Sequence, residues 1–380
     1  MKSKLIIALT ALIAVALVVS FSVPHKGKET KEVRVGLLLS LTGVLADYGT
    51  GVRDGAMLRI NKFNASQNKI KIKAIIKNQE SDPEKNKAMA EELTADKTIL
   101  GIIGPLSSTD VSVAGKIAQD NKTVLIAPMA TNTKISELGD YVFRVCPSDA
   151  KQGINLASFV VNDLGRKRIA VLYMEDQTYS KDLGEIFADE AIRLGGKIVA
   201  IERCSQYTTE FANQLTSIKK VEPELIFAPI YTKQGALVVQ YMKKSGMKDI
   251  ELLGADGLSG EEFFRFAGKE SEGVMATSFF DLGSSDSRVR DFVSEFEKSY
   301  GKGYTLPYVA LGYDAAGVLV HAISLASEMT REEIRDLVAV TKDFPGVTGN
   351  ITFDENGDPV DPKIIKLKAE DMEWRVFREK

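Results

Sequence analysis

The sequence predicts an α/β protein with two doubly wound, Rossmann-like lobes, and three observations lead to this prediction. From Val33 onward, short apolar runs alternate with segments that have helical periodicity. The alternation stops at Pro147-Ser148-Asp149 and then starts again. The chain after about residue 273 contains too few strands to close a sheet of its own. Two α/β lobes that share these C-terminal segments account for all three observations.

The first lobe is predicted from its buried strands and the helices between them. Val33–Ser40 is a continuous apolar run of the kind that is buried on both faces of a parallel sheet. Pro83 suits the first turn of a helix, where its missing N–H has no intrahelical partner. In chain order after the first strand, we expect a helix over 51–64, a strand over 70–77, a helix over 83–95, a strand over 99–104, a helix from Ser108 and a strand over 124–127.

The second lobe is predicted to repeat this alternation. A helix over 150–164 places Ile154, Ala157, Val161 and Leu164 on one stripe. We then expect strands over 168–173, 197–203, 224–229 and 250–254, and helices over 179–194, 211–220 and 234–245. The shared C-terminal part is predicted to hold a strand over 273–280, helices over 287–300, 308–329 and 330–340, and short strands over 351–353, 364–368 and 374–377.

Composition argues against several functional classes. The 380 residues are 44% hydrophobic and 27% charged, with a formal net charge of −3 and no basic run that would favour nucleic acid. Two cysteines and two histidines argue against a disulfide scaffold, a Cys₄ zinc site and a multi-histidine metal centre. We expect no metal and no cofactor. Cys146 and Cys204 could be buried free thiols or a disulfide, and their spacing does not decide between the two.

The N-terminal residues 1–22 have the pattern of a secretion signal. Lys2 and Lys4 precede the apolar run Leu5–Phe21, and a polar stretch follows. An uncleaved anchor is the alternative, because this run is close to the shortest that spans a bilayer. Either interpretation places the folded part outside the cytoplasm.

The sequence lacks the common motifs for catalysis and nucleotide binding. Gly49, Gly51 and Gly55 give GxGxxxG rather than GxGxxG, and a dozen residues separate Ser40 from the predicted helix. The sequence contains no Walker A motif and no G-x-S-x-G elbow. We therefore expect no catalytic residues.

Hydroxyl groups follow two strands of the first lobe, where ligands of open α/β sheets bind. Ser107, Ser108 and Thr109 stand at a predicted helix start, and Thr131 follows the next strand. Free N–H groups, the helix dipole and these hydroxyls would suit a carboxylate. Plain N-capping by Ser107, Ser108 or Thr109 is the alternative.

The equivalent loops of the second lobe carry different chemistry. Tyr179 and Tyr231 follow two strands, and Asp256-Gly257 follows a third. An acid with two tyrosines would suit an ammonium group through an ion pair and cation–π contacts. Ordinary packing of the tyrosines and a simple turn at Asp256-Gly257 are the alternatives.

An ordered set of motifs resembles the type I periplasmic binding proteins, and is most similar to their branched-chain amino-acid (Leu/Ile/Val-binding) branch. The resemblance runs from Val33 to the C-terminus. The motifs are VGLLLSLTG at 35–43 with Tyr48-Gly49, QESDP at 79–83, IIGPLSS at 102–108, APMAT at 127–131, YVFR at 141–144 with PSD at 147–149, and FPGVTG at 344–349 with Phe353-Asp354.

The resemblance implies the lobe boundaries and a hinge with three crossovers, near residues 147, 276 and 345. One lobe would comprise 33–147 and 277–344, and the other 148–276 and 345–380. The lobes would close on a ligand like a jaw.

The resemblance also implies roles for individual residues. Ser108 and Thr131 would hold the α-carboxylate of an amino acid, beside the backbone of Ser107, Met129 and Ala130. Asp256 and the Met129 carbonyl would bind the α-ammonium group. Many family members have Glu at this position, and the shorter Asp256 leaves room for another amine or a bulkier ligand. The walls around the ligand would be formed by Tyr48, Tyr179 and Tyr231. The side chain of the ligand would face Leu106 and Tyr308.

The function implied is that of an exported, monomeric binding protein that delivers an amino acid or a related small polar solute to an ABC importer. ATP hydrolysis would belong to the partner ATPase and permease subunits, and no nucleic acid partner is expected. Contact with the membrane would occur only through the N-terminal segment or the permease. The alternatives are a ligand sensor coupled to a signalling partner and an exported α/β enzyme.

Overall fold

A five-stranded parallel sheet forms the first half of the protein. The computed structural model describes residues 31–66 and 69–377, so the predicted signal or anchor over 1–22 lies outside the described residues. The strands are β1 (Lys31–Leu39), β2 (Ile70–Asn78), β3 (Ile99–Ile103), β4 (Val124–Ala127) and β5 (Val142–Arg144), in the order β2-β1-β3-β4-β5. Val35, Leu37 and Leu39 of β1 are fully buried, as the continuous apolar run predicts.

Three helices connect these strands: α1 (Ala46–Ser66), α2 (Pro83–Ala95) and α3 (Ser108–Asp120). The predicted start of α1 at residue 51 is wrong, and so is the dozen-residue gap after Ser40. The helix starts at Ala46 because Gly49 lies directly against the backbone of Ser40, where an added Cβ would come within 1.9 Å of the carbonyl oxygen. Glycines lower helix propensity, which is why this turn does not look helical in the sequence.

A seven-stranded sheet forms the second half. Its parallel strands are β6 (Arg168–Met174), β7 (Lys197–Cys204), β8 (Leu225–Phe227), β9 (Glu251–Leu253) and β10 (Met275–Ser278). A short hairpin of β11 (Phe344–Pro345) and β12 (Asn350–Ile351) precedes two antiparallel strands at one end of the sheet, β13 (Ile365–Glu370) and β14 (Glu373–Val376). The sheet order is β14-β13-β10-β9-β8-β6-β7.

The remaining helices pack against this sheet or against the first one. They are α4 (Asp149–Ser158), α5 (Thr178–Arg193), α6 (Ala212–Lys220), α7 (Thr232–Lys244), α8 (Glu262–Ala267), α9 (Ser287–Tyr300), α10 (Leu306–Leu325) and α11 (Arg331–Ala339). The predicted helix over 150–164 ends at Ser158 and continues as a π-helical turn over Phe159–Asp163. Strand β5 and helix α8 were not predicted, because three and six residues are too short to show a period.

The chain passes three times between the two sheets, after β5, after β10 and after α11. Helix α10 packs along α1 beside the first sheet, and it is long and apolar enough to span a membrane by composition alone. Because 83% of its most apolar window is buried inside the protein, α10 serves as a core helix here. The architecture confirms the predicted α/β class with two doubly wound units.

Both cysteines are buried free thiols. The Cys146 sulfur lies 3.5 Å from the Ala130 carbonyl oxygen, and the Cys204 sulfur lies 3.6 Å from that of Tyr173. The structure therefore decides between the two alternatives that the sequence leaves open.

Candidate functional site

A cleft lies between the carboxyl ends of the two sheets. The free space inside it is about 10 Å³, roughly the room that one water molecule needs, so a larger ligand requires the two halves to move apart. Both halves of the protein contribute to its lining, which consists of Leu45, Leu106, Ser107, Ser108, Met129, Tyr179, Tyr231, Asp256 and Gly257. Seven of these residues were predicted from the sequence, and Ser108 faces the same cavity as Asp256.

The two serines at the start of α3 have different roles. Ser107 is the N-cap: its Oγ accepts from the Asp110 N–H at 3.0 Å and donates to the Asp110 carboxylate at 2.7 Å. The capping alternative is therefore correct for the Ser107 side chain. Ser108 Oγ accepts from the Asn132 N–H at 3.0 Å, which leaves its own proton available to another acceptor. An anion at this helix start would meet that proton and the positive end of the helix dipole.

Thr131 lies at the base of the cleft rather than in its lining. It is fully buried, and its hydroxyl has no hydrogen-bond partner among the described residues. The backbone around it is held firmly, because the Thr131 carbonyl accepts from Arg144 Nη1 at 3.0 Å and from the Asp149 N–H at 2.7 Å. Ala130 is also fully buried and does not line the cleft. A buried hydroxyl without a partner indicates a site that another polar group completes.

Asp256 supplies the buried negative charge of the cleft. It lies in a 3₁₀ turn after β9, and its Oδ1 accepts from Gln152 Nε2 at 2.9 Å. Gln152 is itself fixed by the Thr277 hydroxyl, which donates to Oε1 at 2.6 Å. Burial raises the pKa of Asp256 to about 6, against the opposing effect of the Gln152 hydrogen bond. A cation that enters the cleft would stabilise the ionised carboxylate.

Four buried tyrosines surround this carboxylate. The ring centroids of Tyr48 and Tyr308 are 4.6 Å apart, those of Tyr48 and Tyr231 are 5.7 Å apart, and Tyr179 stacks on Tyr231 at 5.9 Å. Tyr179 and Tyr231 line the cleft. Tyr308, which was expected to face the ligand side chain, instead packs behind Tyr48, and its hydroxyl donates to the Asp256 carbonyl at 3.3 Å.

Tyr48 joins the two halves of the protein across the cleft. Its hydroxyl donates to the Gly257 carbonyl at 2.7 Å and accepts from the Thr232 N–H at 3.0 Å. Burial raises the pKa of Tyr48 to about 12, so the hydroxyl keeps its proton. Tyr48 therefore stabilises the contact between the two halves and does not line the cavity.

Sequence reasoning missed several residues of the site. Leu45 and Gly257 line the cleft, Gln152 and Thr232 hold its polar groups, and Asp149 lies beneath Thr131. Gly257 and Asp149 occur inside motifs quoted above, so their positions were visible although their roles were not. Gln152 and Thr232 carry no spacing signal, because each acts through a partner distant in the chain. Within the described ranges, no group of three or more His, Cys, Asp or Glu side chains could hold a metal ion.

Comparisons with known proteins find relatives over most of the chain. A protein of Pseudomonas aeruginosa named leucine-, isoleucine-, valine-, threonine-, and alanine-binding protein is 25% identical over 331 residues, which cover 86% of this chain and 87% of its own. The crystal structure of a leucine binding protein from Thermotoga maritima superposes with a TM-score of 0.84 at 26% identity, covering 91% of this chain and 98% of that one.

A second solved structure, a branched-chain amino acid transporter substrate binding protein of Streptococcus pneumoniae in complex with isoleucine, gives a TM-score of 0.85 at 25% identity. The match again covers 91% of this chain and 98% of the other. The family model described as periplasmic binding protein matches residues 32–364. The chain therefore belongs to the periplasmic binding protein family.

Proposed function

We propose that this protein is an exported, monomeric solute-binding protein that captures a branched-chain amino acid, or a related small polar solute, and delivers it to an ABC importer. The observation that carries the proposal is the shared cavity of Ser108 and Asp256, which belong to different sheets. A hydroxyl at a helix start suits a carboxylate, and a buried carboxylate suits an ammonium group. A free α-amino acid carries both groups on one carbon.

The carboxylate of the ligand would lie at the start of α3. Ser108 and Thr131 each have a hydroxyl proton that no described residue accepts. A hydrogen bond to a charged group contributes about 1.5–3 kcal/mol. The α-ammonium group would lie between the Asp256 carboxylate and the Met129 carbonyl, with the rings of Tyr179 and Tyr231 beside it.

The apolar part of the lining favours an aliphatic ligand side chain. Leu45 and Leu106 lie in the cleft on the side of the first sheet, and both are almost fully buried. Burying one aliphatic side chain stabilises a complex by about 1.5–3 kcal/mol. The relatives named for leucine, isoleucine and valine bind ligands of this class.

Capture would occur by closure of the two lobes, 33–147 with 277–344 against 148–276 with 345–380. Contacts at the rim of the cleft support closure: Asn132 Nδ2 donates to the Thr178 carbonyl at 3.0 Å, and the Thr133 N–H donates to the Asp182 carboxylate at 3.1 Å. Strand β10 extends to Ser278, two residues beyond the proposed crossing at 276. A ligand that touches both lobes stabilises the closed form, which the permease would recognise.

Binding of defined ligands tests the proposal. Purified protein should show a rise in melting temperature of several degrees with leucine, isoleucine or valine, because the ligand binds only the folded state. Two control ligands are 4-methylpentanoate, which lacks the ammonium group, and 3-methylbutan-1-amine, which lacks the carboxylate. Both should bind far more weakly than leucine. No shift with any amino acid would refute the ligand class.

Variants of the hydroxyl groups test the site itself. Ser108→Ala and Thr131→Ala together should cost about 2–4 kcal/mol of leucine binding free energy, measured by titration calorimetry. Ser112→Ala is the matched control, because Ser112 lies one turn further along α3 and its hydroxyl donates to the Ser108 carbonyl. Unchanged affinity in the double variant would show that neither hydroxyl binds the carboxylate.

A further inference from the structure

Asp149 is a buried carboxyl group that the proposed ligand contacts do not use. It is fully buried at the first turn of α4, and neither of its oxygens has a hydrogen-bond partner among the described residues. The Thr131 hydroxyl likewise has no hydrogen-bond partner among the described residues. The two residues are adjacent, because the Asp149 N–H donates to the Thr131 carbonyl at 2.7 Å. Two polar side chains without partners therefore lie side by side beneath the cleft.

The number of available protons decides what this pair can do. The Thr131 hydroxyl has one proton to donate. An ionised Asp149 can only accept, so it would take that proton and leave none for the carboxylate of a ligand. A protonated Asp149 can donate to Thr131 Oγ1 instead, and the hydroxyl proton then remains available to the ligand.

The surroundings of Asp149 favour the protonated form. Burial raises the pKa of its carboxyl group well above the ordinary value, and the nearby Asp256 and Asp182 raise this pKa further, whereas the Thr131 hydroxyl beside the carboxyl group lowers it. Among the described residues, the cation that lowers this pKa is Arg144, and it is already paired with Asp358. The Cys146 thiol and the Tyr179 hydroxyl also face this group, and burial raises the pKa of each, so both remain neutral.

We propose that Asp149 is a positioning residue for ligand binding: its protonated carboxyl group donates a hydrogen bond to Thr131 Oγ1, which directs the Thr131 proton toward the carboxylate of the bound amino acid. The inference rests on the proposed function, since it requires a ligand carboxylate at Thr131. Asp256, which lines the cleft, then supplies the carboxylate that faces the ammonium group of the ligand.

The test compares replacements of Asp149 alone and together with Thr131→Val. Asp149→Asn should bind leucine with an affinity within about threefold of that of the wild type, because the amide can donate to Thr131 at every pH. Asp149→Ala should weaken leucine binding about tenfold or more. In the Thr131→Val background, Asp149→Ala should add less than a twofold loss, because the hydroxyl that it positions is already absent.

Infrared spectroscopy distinguishes this positioning role from a purely structural one, because it detects the protonation state of the carboxyl group. A difference spectrum between the wild type and Asp149→Asn at pH 7, without ligand, should show the carbonyl band of one protonated carboxyl group. Asp149→Asn nearly preserves the shape of the side chain, so the spectrum and the Asp149→Asn affinity decide the question even if Asp149→Ala does not fold.

Three results would overturn the inference while leaving wild-type binding of leucine intact. They are the absence of the carboxyl band, a loss in Asp149→Asn of a hundredfold, which would show that an ionised carboxylate is required, and additive losses of Asp149→Ala and Thr131→Val. A wild-type protein that binds no amino acid would instead refute the proposed function and this inference with it.

Discussion

The Arg144 guanidinium and the Asp358 carboxylate form a bidentate ion pair between distant parts of the chain. Nε lies 2.6 Å from Oδ1, and Nη2 lies 2.6 Å from Oδ2. Arg144 is fully buried, and its Nη1 donates to the carbonyls of Thr131 and Asn132 at 3.0 and 2.7 Å. The turn that carries Asp358 is thereby connected to the loop that carries Thr131, so a residue near the C-terminus fixes the base of the cleft.

Asp358→Asn should destabilise the protein and weaken ligand binding. Removing one partner of a buried ion pair leaves the other charge uncompensated, which costs about 3–5 kcal/mol. We expect the loss at the lower end, near 3 kcal/mol, because the Asp358 side chain keeps 15% exposure. Urea unfolding measures the stability, and calorimetry with leucine measures the affinity. Asp361→Asn is the matched control, since Asp361 is exposed; equal effects in both variants would contradict the role of the pair.

The pKa of Asp256 predicts how ligand affinity depends on pH. Burial raises this pKa to about 6. Because an ammonium group requires the ionised carboxylate, leucine affinity should be constant above about pH 7 and should fall about tenfold per pH unit below 6. Calorimetry between pH 4.5 and 8 (a range set by the pKa shift) measures this dependence. The slope should disappear in Asp256→Asn, and a wild-type affinity that is independent of pH would contradict the ion pair.

The same group should have the opposite effect on the stability of the ligand-free protein. The folded-state pKa of about 6 lies above the ordinary value of 3.8, so the folded state binds the proton more tightly than the unfolded state does. The contribution to the unfolding free energy is therefore present below about pH 4 and is lost as the pH rises through 6. Urea unfolding of the wild type and of Asp256→Asn across this interval isolates the contribution.

Much of the fold could be predicted from the sequence because its central strands are buried on both faces. β1 and β6 are runs of apolar residues with little interruption, and helices of ordinary length separate the strands. The failures have local causes. Strand β5 has three residues, and the glycines at the start of α1 conceal a helical turn whose packing against Ser40 is tertiary. Periodicity within the chain cannot report a contact of this kind.

The site was only partly predictable for a related reason. Ser108 and Asp256 lie in the loops after their strands, so topology alone brings each of them to the carboxyl edge of its own sheet. Tyr308 could not be placed correctly, because its position depends on the packing of α10 against Tyr48. Gln152 was not found because it acts on Asp256 from 104 positions away in the chain. Residues that support a site through a partner leave no pattern that a single sequence reveals.

Tyr48→Phe should weaken ligand binding without unfolding the protein. The substitution removes the hydroxyl that bonds to Gly257 and Thr232, and it keeps the ring that packs on Tyr308. Two neutral hydrogen bonds contribute about 1–3 kcal/mol together, which corresponds to an increase in Kd of roughly 5- to 150-fold for leucine. Tyr207→Phe is the matched control, because Tyr207 is 61% exposed. An unchanged Kd in Tyr48→Phe would show that this cross-cleft contact does not stabilise the bound form.

Gly55→Ala should destabilise the packing of α1 against α10. A Cβ at this position would lie 1.9 Å from the Val309 carbonyl oxygen and 2.9 Å from the Tyr313 nitrogen, so the two helices must separate. Both contacts are to backbone, which cannot rotate away, and we expect a loss of about 3 kcal/mol in the unfolding free energy. Chemical denaturation followed by circular dichroism measures it.

Gly51→Ala in the same helix is the control for that substitution. Its Cβ would come no closer than 3.2 Å, to Tyr308 Cβ, so this neighbour needs to move by only a few tenths of an ångström. Alanine also favours the helix over glycine by about 1 kcal/mol, and this gain applies equally at both positions. The difference in stability between the two variants therefore measures how much closer the helices approach at Gly55 than at Gly51. If both variants unfold at the same denaturant concentration, the contact between Gly55 and Val309 does not set the position of α10, and the placement of Tyr308 behind Tyr48 must depend on other contacts.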